Sequence, residues 1–146
     1  FSSASRRALG WAGELAGLFG AHVDVLHVRV TLPRQWMDVY GQNLAPGMLQ
    51  AMEEETRELF ERLDEFCDIE DLKNVSWEPV VLQGQPEEVI LEVAANRGTE
   101  MVCMGSVGRG GVEGFLMGNT AERVLRQLPC SLLTAKPDDF AVQLDL

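Results

Sequence analysis

Apolar residues recur along the chain at two periods, and the switches between them mark alternating helices and strands. Ala4, Ala8, Trp11, Ala12, Leu15, Ala16 and Phe19 fall at helical spacing. They predict a helix over residues 3–19 with that stripe turned inward. Ser2 or Ser3 can cap its start, and Gly20 can end it. Residues 22–30 alternate instead, with Val23, Val25, His27 and Arg29 on one side and Asp24, Leu26, Val28 and Val30 on the other. Their β-branched density predicts a strand buried on much of both faces. Residues 31–48 follow neither period. Pro33, Gly41, Pro46 and Gly47 punctuate a long loop of the kind used as a lid, an interface or a disordered segment.

The helical period returns over residues 49–66, where Leu49, Met52, Thr56, Leu59, Phe60, Leu63 and Phe66 form the stripe. Glu53, Glu54, Glu55, Glu58 and Glu61 cover the other face; a metal could use such a run, but a solvated helix face is its ordinary meaning. Residues 75–82 predict a second strand. Pro86 then opens a helix with Glu87 and Glu88 in its first turn, Val89, Ile90, Val93 and Ala94 facing inward, and Gly98 at its end. Residues 101–104 form a third strand, residues 121–128 a helix stopped by Pro129, and residues 131–135 a fourth strand. Strands alternating with helices imply parallel pairing by right-handed crossovers. All 146 residues fit one α/β domain with a tail over residues 137–146.

Charge and composition narrow the partners. The net charge of −11 argues against nucleic acid and against anionic membranes, both of which need Lys and Arg to meet phosphate. No apolar run is long enough to cross a bilayer, and no secretory signal pattern is visible. The three cysteines, Cys67, Cys103 and Cys130, lack metal spacing, and Cys103 sits in an apolar strand as a buried reduced thiol would. A soluble, cytoplasmic domain is the expectation.

The candidate chemistry lies in residues 104–120. Glycines at 105, 108, 110, 111, 114 and 118 follow an apolar strand, and a helix begins at Asn119 or Thr120. Glycine lets the backbone approach a ligand closely, and a helix start offers free amides and a positive dipole end to phosphate. A nucleotide phosphate cradle and a plain mobile loop both fit this pattern. Known phosphate motifs do not: there is no GxxxxGK[ST], and the spacing is wrong for GxGxxG. Ser106 is not in a nucleophile elbow. His27, within a strand, reads as a packed core residue. For hydrolysis, Glu113 and Glu122 are the nearest carboxylates, and no motif assigns either a role.

The order of βα units, the run GQPEEVI and the run MGSVGRGGVEGFLMGNTAERVLRQLPCSLLTAKP resemble the universal stress protein family over the whole chain. The family's nucleotide motif is Gly, two residues, Gly, nine residues, Gly, then Ser or Thr. Here it reads Gly105, Ser106-Val107, Gly108, residues 109–117, Gly118, then Asn119.

The resemblance implies an open parallel five-stranded sheet in the order 3-2-1-4-5, with helices on both faces. ATP, with Mg²⁺ where a metal is used, would sit at the carboxyl ends of the strands, in accord with the rule for open α/β sheets. The implied nucleotide-binding residues are Val28, Met104, Gly105, Gly108, Arg109, Gly118, Asn119 and Thr120. No catalytic residue is implied, and hydrolysis would be weak. The family's homodimer pairs the last strand, here 131–135, across the dimer axis, which would cover an apolar edge.

Two departures bear on this. The family's first strand, with its adenine-reading Asp, is absent from the sequence given, so a strand supplied upstream or another segment is expected to fill that slot; the alternating tail 141–146 is a candidate filler, although a loose tail or a dimer contact is its more ordinary reading. The hydroxyl position holds Asn119, with Thr120 next; an Asn carboxamide can cap a helix and donate to phosphate but gives a metal no hydroxyl. The run GNTAE is closest to tandem members of the family. These expectations describe a nucleotide-binding regulatory module of the stress response; a scaffold of the same fold without nucleotide, or a slow ATPase, are the alternatives.

Overall fold

The computed structural model describes residues 1–30, 46–106 and 117–137. Helix α1 (Ser3–Phe19) starts at Ser2, whose hydroxyl accepts the Ser5 amide at 3.1 Å, and stops at Gly20 in the left-handed conformation, φ 64°. Its buried residues are Ala4, Ala8, Leu9, Gly13 and Ala16. Ala4, Ala8 and Ala16 of the predicted stripe are buried as expected, whereas its bulky members are not: Trp11 is 45% exposed and Phe19 80%. The cause is close packing. A methyl built on Gly13 would lie 2.5 Å from the Asp71 carbonyl oxygen, so the backbone of α1 lies almost directly on a 3₁₀ turn at Glu70–Leu72. Small residues make that approach possible, and the bulky ones are displaced outward.

Strand β1 (His22–Arg29) is half-buried along most of its length, as its two apolar faces predict. Helix α2 (Pro46–Cys67) is longer than the predicted 49–66 and buries Leu63, Phe66 and Cys67. These join Leu9 of α1 and Leu72 of the 3₁₀ turn in the main core cluster. Burial, and then the neighbouring Asp64 carboxylate, push the Cys67 thiol up to about 11, so it is an inert packing group at neutral pH.

Strand β2 (Ser76–Gln83) begins one residue later than predicted. Helix α3 (Pro86–Asn96) has Pro at its first position, and Gly98, φ 63°, follows its Arg97 cap. Strand β3 (Met101–Gly105) leads to helix α4 (Asn119–Gln127), which starts at Asn119, one of the two starts expected after the glycine run, with Gly118 as its cap. It ends at Leu128, which is extended before Pro129, as the proline ring requires. Strand β4 (Ser131–Ala135) closes the series.

Pairing is parallel throughout, with Val28 opposite Leu82 and Gly105 opposite Ala135. The strands form two pairs, β1–β2 and β3–β4, rather than one five-stranded sheet. Each pair forms one arm of the fold; among the described residues no strand joins them. The tail 141–146, weighed as a filler, lies outside the described residues. Helix α1 packs on both arms, against β3 and β4 and against β1. Among the described residues, no helix is long and apolar enough to cross a membrane.

His27 packs as expected, its ring stacked on Phe1 with centroids 5.0 Å apart. Burial pushes its imidazole below the ordinary 6.5, and nearby positive charges including Arg62 and Arg29 add to this. The folded value is the lower one, so the unfolded chain takes up this proton first as pH falls. This residue's contribution is therefore complete above 6.5 and declines as pH drops from there toward the folded value. His27→Gln is expected to flatten that decline, read as a smaller difference in urea midpoint between about pH 7.5 and about pH 5.5.

Candidate functional site

One backbone hydrogen bond joins the carboxyl end of β3 to the start of α4, and another ties the same strand end to β4. The Ser106 amide donates to the Ala135 carbonyl at 2.8 Å, extending the β3–β4 ladder by one residue. The Gly118 amide donates to the Ser106 carbonyl at 2.6 Å, which pins both ends of the glycine loop at one point. The Glu122 amide then makes the first turn of α4 by donating to the Gly118 carbonyl at 3.0 Å. Among the described residues no side chain caps this helix start, which leaves its first amides able to take an acceptor from elsewhere.

This joint gathers Met104, Gly105, Gly118, Asn119 and Thr120 of the sequence-derived site. Met104 and Gly105 are half-buried at the end of β3; Gly118 and Thr120 are half-buried and Asn119 is exposed. Val28 lies in the other arm, at the carboxyl end of β1, where the Gly84 amide donates to the Arg29 carbonyl at 3.0 Å. Gly108 and Arg109 lie outside the described residues, as does Glu113. Glu122 is taken up by Arg126 at 2.7 Å, one turn on.

Gly105 has a structural duty that its place in the motif does not reveal. A methyl on it would lie 3.0 Å from the Ala4 Cβ and 3.1 Å from the Ala4 carbonyl carbon and the Ser5 nitrogen. The missing side chain makes room for the first turn of α1. Two helix starts, of α1 and α4, therefore meet at the end of β3.

Ser106 is the residue that sequence reasoning passed over. It is fully buried, yet among the described residues its hydroxyl has no hydrogen-bond partner. Its sequence signal was weak, because a serine after a strand reads only as a failed nucleophile once the elbow motif is absent.

A second polar group sits at the opposite end of β1 and β2. Arg97 reaches Asp24 Oδ2 at 3.0 Å and Glu78 Oε1 at 2.6 Å. His22 Nε2 lies 3.4 Å from Asp24 Oδ1, and its Nδ1 is 2.8 Å from the Ser76 hydroxyl. The hydrogen bond from Arg97 holds the Glu78 carboxyl below its ordinary value, and the same bond raises the guanidinium. His22, Asp24 and Glu78 offer atoms within 4.8 Å of one another, but the guanidinium already bridges the two carboxylates. The cluster locks the end of α3 to the strands. At the other end of α3, Glu87 is paired with Arg123 of α4, and its own first-turn amide, then Arg123, hold its carboxyl low.

Comparison with known proteins identifies the family and the fold. A sequence model described as the Universal stress protein family matches residues 1–136. Universal stress protein E of Escherichia coli (strain K12) is 32% identical over 130 residues, which cover 88% of this chain and 37% of that protein. The chain thus spans little more than a third of that curated relative. Universal stress protein UspA from Lactobacillus plantarum has the same fold, with a TM-score of 0.65 at 16% identity over 88% of this chain and 87% of that one. A universal stress protein crystallised in complex with cAMP matches with a TM-score of 0.53 at 20% identity, over 94% of this chain and 90% of that one.

Proposed function

Because this chain belongs to the universal stress protein family, we propose that it is a nucleotide-binding regulatory module of the stress response, with ATP as its ligand. The observation that carries the reading is the joint at Ser106 and Gly118, where a strand end, an uncapped helix start and a buried, unpartnered hydroxyl converge. These groups suit an anionic ligand: amides of α4 for phosphate, the dipole for its charge, and a hydroxyl to donate. A relative bound to cAMP adds support for a nucleotide. Val28 would meet the base; Met104, Gly105, Gly108 and Arg109 would follow ribose and phosphates; Gly118, Asn119 and Thr120 would hold the last phosphates, with Mg²⁺ as counter-ion. The two arms would be completed by a central strand to give the order 3-2-1-4-5. The free edge of β4 would pair with a second copy, making a cytoplasmic homodimer. With Glu122 paired to Arg126, this module holds nucleotide and hydrolyses it weakly at most.

Calorimetry with ATP and Mg²⁺ tests the reading, and Gly118→Val is the informative variant. Gly118 has φ −77° and ψ 159°, an extended conformation that any residue adopts. A side chain there strains no backbone and would stand at the helix start where phosphate is proposed to lie. Gly118→Val is expected to weaken ATP by more than about tenfold while the melting temperature changes little. Asn119 favours one second reading, a scaffold of the same fold that has lost nucleotide; absence of ATP, ADP and cAMP binding by the unaltered protein would establish that reading instead.

A further inference from the structure

The outer side of α1 and the 3₁₀ turn beside it form a cleft of about 470 Å³, with Arg6, Arg7, Trp11, Glu14, Ile69 and Asp71 in its lining. Charge is divided along it. Arg6 and Arg7 stand nearest the start of α1, Trp11 follows one turn on, and Glu14 lies beyond. Arg6 is steadied by Phe66, whose carbonyl accepts from it at 3.4 Å and whose ring centroid lies 4.7 Å from the guanidinium. A half-exposed indole beside two guanidiniums, in a chain of net charge −11, suits an acidic partner that also carries an apolar side chain.

The chain holds such a segment at this spot. Arg7 donates to the Lys136 carbonyl at 3.5 Å, so the chain leaves β4 at the mouth of the cleft. The described residues end at Pro137, and Asp138, Asp139 and Phe140 come next. Three residues reach up to about 10 Å, whereas Arg7 and Trp11 are one helical turn apart, about 6 Å. Two carboxylates can therefore meet Arg6 and Arg7 while an aromatic ring reaches Trp11 and Ile69. Residues 141–144 that follow carry no charge to oppose Glu14 and Asp71. We propose that residues 138–144 dock in this cleft as a strap across α1, with Asp138 and Asp139 on the two guanidiniums and Phe140 on Trp11. The strap holds α1 to β4 at the end of the fold where Gly105 admits the first turn of that helix.

The test is limited digestion with chymotrypsin, which cuts after Phe140, of the unaltered protein, Asp138→Lys/Asp139→Lys, Arg7→Glu, the combination of all three changes, and Trp11→Ala. Each rate is divided by that of an isolated peptide of residues 134–146 carrying the same changes in that stretch, and so reports how often the segment is released. Arg7 and Trp11 are exposed, and circular dichroism checks that every variant is folded. Asp138→Lys/Asp139→Lys, Arg7→Glu and Trp11→Ala are each expected to speed cleavage by at least about threefold. The combination should be cut more slowly than either charge variant alone, because opposite charges face each other again with their signs exchanged. Equal rates in the unaltered protein and every variant overturn the proposal, whether the segment is always open or is protected elsewhere, as between the two strand pairs. A combination cut no more slowly than the charge variants overturns the pairing of Asp138 and Asp139 with Arg7. Protection that is lost on dilution assigns the cleft to the segment of a second copy and overturns the strap within one chain.

Discussion

Gly13→Ala is expected to destabilise the protein by about 2 kcal/mol, although alanine is the better helix former by about 1 kcal/mol. The new methyl would lie 2.5 Å from the Asp71 carbonyl oxygen, 2.9 Å from its carbonyl carbon and 3.0 Å from its Cβ. Those are mostly backbone atoms, so no side-chain rotation relieves the overlap. Either α1 or the 3₁₀ turn must move. The turn is held by amide bonds from Leu72 to Ile69 and from Lys73 to Glu70, and by Leu72 itself in the core. Overpacking of this kind outweighs the propensity gain. Gly17→Ala in the same helix is the control: its methyl meets only the Val75 Cγ2, at 3.9 Å, and should stabilise by up to about 1 kcal/mol. Urea unfolding of the two variants should therefore shift in opposite directions, with the slope unchanged. Equal shifts would mean that α1 does not lie on the turn as described.

Much of the fold was legible because each segment carries its own period and punctuation. Gly20, Pro86, Gly98 and Pro129 fall at or next to real element ends, since each acts through local backbone geometry. The inward face of α1 was legible in Ala4, Ala8 and Ala16, but its edges were not: packing distance added Gly13 and left Trp11 and Phe19 outside. A glycine scores as a gap in an apolar stripe even when it is the point of closest contact. Nothing in the local pattern joins the two strand pairs, and among the described residues no strand does.

For the site, spacing located the strand end and the helix start, and the structure joins them through Ser106 and Gly118. What spacing could not assign was the duty of each glycine. Gly105 and Gly118 are equivalent in the motif. One makes room for α1, whereas the other caps α4 in a conformation open to any residue. The Arg97 cluster was missed because its members are far apart in sequence. Only the register that sets Asp24 opposite Glu78 and His22 opposite Ser76 brings it together.

Leu72→Ala is expected to cost about 2–5 kcal/mol. Leu72 is 2% exposed and packs with Leu9, Leu63, Phe66 and Cys67, in a core whose other buried members include several alanines. Such a small cluster has few side chains to close a cavity, which puts the cost in the upper part of that range. The same residue anchors the turn that Gly13 touches, so the two substitutions should couple. With Leu72 cut back, the turn can retreat and admit the methyl of Ala at position 13. The double variant should then be less destabilised than the sum of the single ones by at least about 0.5 kcal/mol. Strict additivity would show that the strain is relieved from the α1 side instead. The direction of relief matters for the site, because the first turn of α1 abuts Gly105. A turn that yields leaves the joint at Ser106 in place, whereas a helix that yields moves it. The cycle, measured with and without Mg²⁺·ATP, therefore reads whether the core and the proposed nucleotide site are linked through α1.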